Sequence, residues 1–311
     1  MRHFITLDDI SVEELNRILD LSAIFKSELK RGVCQTPLGG KMLAMIFEKQ
    51  SLRTRVSFET AMFQLGGSSM FLGSDVGFGK REATKDFSEV LSSMVDVIMF
   101  RALRHESVVE LAKHATCPVI NALTDQAHPC QALADVMTIK EVFGKTQGLK
   151  IAWIGDANNV AVSLVRAAAK LGIAVSVAAP AGYQFALGTD IKLGGKSPTD
   201  GFFLELTDDP EAAVVGAHVV YTDVWVSMGQ EAEEVQRKKI LAPYRVDAKL
   251  LHKAQKDAIF LHCLPARRGQ EVTDEVMDSP QSRIVQQSEN RLHSQKGLLV
   301  WLLTMQKGLR F

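Results

Sequence analysis

Residues 51–55, Ser-Leu-Arg-Thr-Arg, set two guanidinium groups and two hydroxyls at the mouth of a helix-patterned segment. Phe58, Met62 and Leu65 follow as its apolar stripe, and Gly66-Gly67 is a stop signal. A helix N-terminus already presents unpaired N–H groups and partial positive charge. Cationic side chains there oppose the dipole, so they add nothing to helix stability. They suit a bound anion, most naturally a phosphate. A capping Ser51 with solvent-facing arginines is the other reading of the same residues.

Further clusters lie where apolar runs end. Arg101 follows the run 96–100, and His128-Pro129-Cys130-Gln131 follows 118–120. Pro129 suits the first helical position, which puts His128 and Gln131 on one side of a first turn. A capping histidine beside a solvated glutamine is the alternative. "WIGDANNV", residues 153–160, has the order strand, glycine, polar turn, helix. Ala157 and Val160 break the G-x-G-x-x-G spacing, so a nicotinamide dinucleotide is not expected; amides such as Asn159 suit a carboxylate or an ammonium. Asp223 closes another strand, with Ser227-Met228-Gly229 in the turn after it, and favours a cationic ligand or caps a helix. His262 and Cys263 precede Leu264-Pro265. Neighbours on a strand face opposite ways, so they make a poor nucleophile–base pair. No second Cys or His stands at zinc-ligand spacing; Cys263 reads either as a small buried hydrophobe or, beside Arg267 and Arg268, as a thiolate. Together the clusters describe an anion cradle in one half and a site for a cation and a carboxylate in the other.

Open α/β sheets gather ligands at the carboxyl edge of their strands, and the surrounding pattern supplies such sheets. Strands are expected at Met42–Phe47, 96–100 and 118–120, with helices between them. A boundary is expected at 144–148, after which the pattern restarts with Lys150–Ile154, a helix from about Val160, and Ala174–Ala178. A loop-rich stretch, 182–201, precedes strands at Val219–Thr222 and 259–262, and an apolar helix, 298–303, closes the chain. The expected fold class is α/β: two parallel-sheet α/β domains, 1–140 and 141–289, with an active-site cleft between them. A helix at about 290–311 is expected to pack back on the first. There is no internal repeat or low-complexity tract.

Composition sets the class. The 311 residues are 46% hydrophobic, enough for sizeable cores, and 36 Lys+Arg balance 36 Asp+Glu. With no basic excess, nucleic acid is not an expected partner. No apolar run approaches the roughly 20 residues that span a bilayer, so no membrane is expected either. The acidic, amphipathic amino end matches neither a signal nor a transit peptide. Four cysteines without close pairing point to reduced thiols and a cytoplasmic protein.

The motifs "FEKQSLRTRVSFE", "HPCQALAD", "DANNV", "TDVWVSMGQE", "HCLPA" and "ENR" resemble those of the aspartate/ornithine carbamoyltransferases nearly end to end. The Ser-Met-Gly loop and the His-Cys-Leu-Pro motif are specific to the ornithine enzymes. The resemblance implies a transferase that makes L-citrulline and phosphate from carbamoyl phosphate and L-ornithine, in arginine biosynthesis or the reverse. It implies Ser51, Leu52, Arg53, Thr54, Arg101, His128, Gln131, Cys263, Leu264 and Arg291 on carbamoyl phosphate. Asn159, Asp223, Ser227 and Met228 fall on ornithine, and Arg101, His128 and Cys263 are the catalytic set. No metal or organic cofactor is implied, and the assembly is a homotrimer or a multiple of trimers. Leu52 replaces a usual threonine and leaves its backbone N–H as the donor; Ala157 stands where glycine is common. Putrescine, N-acetylornithine and N-succinylornithine are alternative amines. Asp223 argues against the acylated pair, which lack an α-ammonium, and putrescine lacks the carboxylate. A non-catalytic anion-binding subunit is a third reading, opposed by the retained Arg53, Arg101, His128 and Cys263.

Overall fold

The computed structural model describes residues 2–185, 202–226 and 230–304. They divide into two units: one runs to Ala134 and resumes at Glu289, and the other is Asp135–Ser288. In the first, α1 (Val12–Lys30) leads to β1 (Met42–Phe47), α2 (Leu52–Gln64) and β2 (Ser68–Leu72). Then come α3 (Thr84–Met94), β3 (Val97–Arg101), α4 (His105–His114), β4 (Val119–Leu123) and α5 (Pro129–Phe143). The second unit has β5 (Lys150–Ile154), α6 (Asn159–Leu171), β6 (Ala174–Ala178), β7 (Leu204–Thr207) and α7 (Pro210–Val214). It continues through β8 (Val219–Thr222), α8 (Glu234–Leu241), α9 (Ala248–Leu251), β9 (Ile259–Leu261) and α10 (Asp274–Met277) to α11 (Ile284–Thr304). The chain passes between these compact units inside α5 and α11.

Each unit is built on one wholly parallel sheet, in the orders β2-β1-β3-β4 and β7-β6-β5-β8-β9. The strand order reverses direction between β1 and β3, and again between β5 and β8. At such switch points the connections diverge and leave a crevice beyond the strand ends. The crevices therefore open at Phe47 and Arg101, which are register partners, and at Ile154 and Thr222, which are also paired.

The strands buried on both faces are continuous apolar runs, which is why the sequence marks them. The edge strands β2 and β7 are additions to the expected set. Ser-Ser-Met-Phe-Leu and Leu-Glu-Leu-Thr carry polar residues and stay half-exposed, so no apolar run announces them. The start of α11 also comes earlier than the closing apolar stretch suggests. Ahead of that stretch it carries Gln287, Asn290, Arg291, His293, Ser294, Gln295 and Lys296, all buried despite being polar. None of the helices among the described residues is long and apolar enough to cross a membrane.

α11 packs on α1 through Gly297. A Cβ built there would overlap Ser22 Oγ and the Ile18 carbonyl oxygen, and Ser22 Oγ is itself tied to that carbonyl at 2.6 Å. The obstruction is partly backbone and cannot swing away. Gly297→Ala should therefore destabilise the protein by ~1–3 kcal/mol through overpacking, despite the higher helix propensity of alanine. A thermal unfolding midpoint several degrees lower is the expected result, and a raised midpoint contradicts the packing.

Candidate active site

In the first unit the residues of the expected anion cradle come from four elements. Ser51 is the N-cap of α2, and its Oγ accepts from the Thr54 N–H at a long 3.5 Å. The first free N–H groups of α2 therefore open at the end of β1. Leu52 occupies the first helical position with its side chain 75% exposed, so only its backbone faces the cradle. Arg53 is half-buried and has no ion-pair partner among the described residues. Arg55 is turned away: it pairs with Glu59 at 2.9 Å and lies over the Phe71 ring.

Arg101 ends β3, 9% exposed, where the ladder to β4 shifts register between Phe100 and Arg101. Irregularities of this kind re-aim a side chain at the end of a strand. Its turn is held by Glu48, whose N–H donates to the Arg101 carbonyl at 3.0 Å and whose carboxylate accepts from Leu103 N–H at 2.6 Å. His128 directly precedes α5 and is 4% exposed; Gln131, on the first turn, is 1% exposed. From α11 the buried Arg291 donates to Gln131 Oε1 at 2.7 Å and to Thr54 Oγ1 at 3.3 Å. That fork ties the first turns of α2 and α5 together.

His128 is held neutral. Burial lowers its pKa well below the usual value, and the charges of Arg291, Arg101 and Arg53 lower it further. An imidazole that does not take up a proton here can present a single N–H donor without adding to the positive charge.

In the second unit the clusters after β5, β8 and β9 meet. Asp223, 7% exposed, accepts at Oδ2 from Asn158 Nδ2 (2.7 Å) and at Oδ1 from Cys263 Sγ (3.0 Å). A neighbour of Cys263 is thus a carboxylate, and Arg268 pairs with Asp274 and Asp278. The sequence offers both amides of this turn, and the family resemblance assigns Asn159 to ornithine. Asn158 is the N-cap of α6, accepting from Val160 and Ala161 N–H groups, and also the partner of Asp223; Asn159 is the first helical residue. Beside them Asp156 is raised to about 6 by burial, opposed by Arg237, which donates to it at 3.1 Å, and assisted by Asp223.

The turn 262–267 is fixed from inside. His262 Nδ1 accepts from Leu264 N–H at 2.9 Å, so its proton lies on Nε2, 3.2 Å from Glu271 Oε1, which also accepts from Arg267 N–H. Leu264 takes φ 59, a left-handed conformation that costs a leucine ~1–2 kcal/mol and is found where a backbone is held for function. Asp223, His262 and Cys263 bring ligand-type atoms within 4.8 Å of one another, an association across 40 residues that local spacing could not reveal. Both ring nitrogens of His262 are already engaged, by Leu264 N–H and Glu271, and do not offer a lone pair to a metal. Ser227 and Met228 lie outside the described residues.

Residues 2–141 match the family model for the carbamoyl-P binding domain of aspartate/ornithine carbamoyltransferase, and 147–302 match the model for its Asp/Orn binding domain. The ornithine carbamoyltransferase of Anoxybacillus flavithermus is 52% identical over 303 residues, 97% of this chain and 96% of that protein. The Bacillus subtilis ornithine carbamoyltransferase is 51% identical, covering 97% of this chain and 94% of its own length. The solved ornithine carbamoyltransferase from Pyrococcus furiosus has a TM-score of 0.94 at 48% identity, covering 99% of this chain and 98% of that one. With about half its residues shared along nearly the whole chain, this protein belongs to the aspartate/ornithine carbamoyltransferase family, on its ornithine carbamoyltransferase branch.

Proposed function

We infer that the protein transfers the carbamoyl group of carbamoyl phosphate to the δ-amine of L-ornithine, giving L-citrulline and phosphate, in arginine biosynthesis or the reverse. The observation that carries this reading is the neutral, buried His128 under the influence of Arg53, Arg101 and Arg291. Guanidinium groups near one another repel, and a bound phosphoanhydride offsets that repulsion. The δ-amine lone pair attacks the carbamoyl carbon, the carbonyl oxygen gains negative charge, and the C–O bond to phosphate breaks with the electron pair leaving on oxygen. Arg101, His128 and Thr54 donate to the carbonyl oxygen as its charge develops. Arg53, Gln131, Ser51 and the N–H groups of α2, that of Leu52 included, hold the phosphate. Arg291 positions Gln131 and Thr54, and Leu264 completes the carbamoyl end.

At the amine end Asp223 receives the α-ammonium, because a carboxylate accepting two hydrogen bonds keeps lone pairs to spare. Cys263 lies against that same carboxylate, next to the incoming δ-amine. Asn159, Ser227 and Met228 are assigned to the amino-acid end by family resemblance. Free cysteines fit a reducing cytoplasm. Assembly as a homotrimer is supported by the outer face of α2, where Leu52, Val56 and Phe63 are 75%, 51% and 79% exposed. Large apolar side chains in a row on a surface helix are a liability in a monomer.

Arg101→Ala should lower kcat by ~10²–10³, the range for loss of one oxyanion donor, while Arg53→Ala should act more on KM for carbamoyl phosphate. Steady-state kinetics separate the two, and unchanged turnover in Arg101→Ala removes its assigned role.

The amine is tested with L-ornithine, putrescine, N-acetyl-L-ornithine and L-aspartate at saturating carbamoyl phosphate. L-Ornithine should lead by a wide margin, and Asp223→Asn should narrow its lead over the acetylated compound. Activity should rise from pH 7 to 9, since only the neutral form of an amine of pKa about 10 can attack. A win for putrescine or N-acetylornithine rejects ornithine as substrate.

Light scattering should give a particle of three chains, each 34.2 kDa. Phe63→Asp should dissociate it, and a monomer in the unmodified protein rejects the assembly.

A further inference from the structure

β8 and β9 run side by side up to the pair Tyr221↔Leu261. Beyond it β8 delivers Asp223 and β9 delivers Cys263. On its other edge β9 is bridged only at Phe260, which donates to the Gln281 carbonyl; the next donor on that edge, the His262 N–H, donates instead to Gln287 Oε1 at 2.9 Å. A backbone N–H can only donate, so the Gln287 carbonyl must face it and its NH₂ must point the other way. That NH₂ donates to Asp135 Oδ1 at 2.7 Å and to Tyr221 OH at 2.9 Å. Tyr221, accepting from Gln287, passes its own proton toward Asp135 at 3.2 Å. Burial, and then the Asp135 charge, raise the Tyr221 pKa well above the usual value, which keeps that proton in place. Asp135 and Tyr221 are fully buried, and Gln287 and His262 are each 1% exposed.

A polar cluster this deep is costly to assemble compared with apolar side chains of the same size. Its location suggests what it does. Tyr221 stands two residues before Asp223, and His262 one residue before Cys263, so small shifts of either reach the acid and the thiol directly. We propose that Gln287 is a positioning residue for the amine end of the site, holding the outer edge of β9 beyond the Phe260↔Ser282 bridge and tying it to the Tyr221 side chain of β8. It thereby fixes the 3.0 Å contact between Cys263 Sγ and Asp223 Oδ1. The proposal rests on the reading that Asp223 and Cys263 receive the amino-acid substrate.

The test uses the full-length enzyme with Cys34→Ser, which removes the exposed thiol. Cys117 and Cys130 are buried and their thiols are pushed up to about 12, so iodoacetamide reports on Cys263. In Gln287→Met, kcat/KM for L-ornithine should fall about tenfold while KM for carbamoyl phosphate stays within about twofold. Cys263 alkylation at neutral pH should quicken about threefold, because a thiol whose proton is held by a carboxylate resists ionisation. Tyr221→Phe keeps the Gln287–His262 bond but loosens its anchor, and should move both readouts the same way by less. If Gln287→Met does not fold, Tyr221→Phe decides. A folded variant with unchanged Cys263 alkylation, or one in which both substrates lose equally, overturns the proposal. Alkylation needs no substrate, so the change in its rate remains decisive even if the amine panel rejects ornithine.

Discussion

Positive charge crowded around a group that stays neutral is the constraint on which the first unit depends. Arg53, Arg101 and Arg291 come from α2, β3 and α11, and all act on His128 at the head of α5. Such an arrangement is poorly stable when empty, and each contributor needs separate support. Ser51 caps α2, Glu48 braces the turn of Arg101, and Gln131 with Thr54 anchors Arg291. Support of this kind holds donors in place before charge develops, which is where electrostatic catalysis is strongest.

The second unit solves the opposite problem, the burial of negative charge. Asp223 is satisfied by an amide and a thiol, neither of which is a cation, so the carboxylate retains its appetite for one. Asp156 nearby has Arg237 as a permanent partner and is removed from that role. Two acids a few residues from neighbouring strand ends thus differ in what faces them.

α11 serves more than one purpose along its length. Its apolar end packs on α1 through Gly297, while its polar beginning supplies Gln287 and Arg291. Buried polar side chains such as Asn290, which accepts from Lys26 at 2.6 Å, contribute less to stability than leucines in the same space would. They restrict the helix to one register, since a shift by one residue breaks several specific bonds at once.

Much of this is legible in the sequence by itself. Inner strands declare themselves as apolar runs, and the carboxyl-edge rule then gathers Ser51, Arg101, His128, Asp223 and Cys263 as site residues. The residue types also set the chemistry, since guanidinium groups at a helix start call for an anion. Tertiary structure alone decides the rest. β2 and β7 are edge strands whose short, half-polar sequences contain no continuous apolar run, and their pairing is what reveals them. Asn158 meets Asp223 because the cap of α6 lies beside the end of β8, a neighbourhood that local spacing does not show. Cys263 faces an acid because β8 and β9 are neighbours in space and a strand end presents its side chain to the next strand. Sequence fixes what each group can donate, accept or carry; only the folded chain decides which group stands opposite.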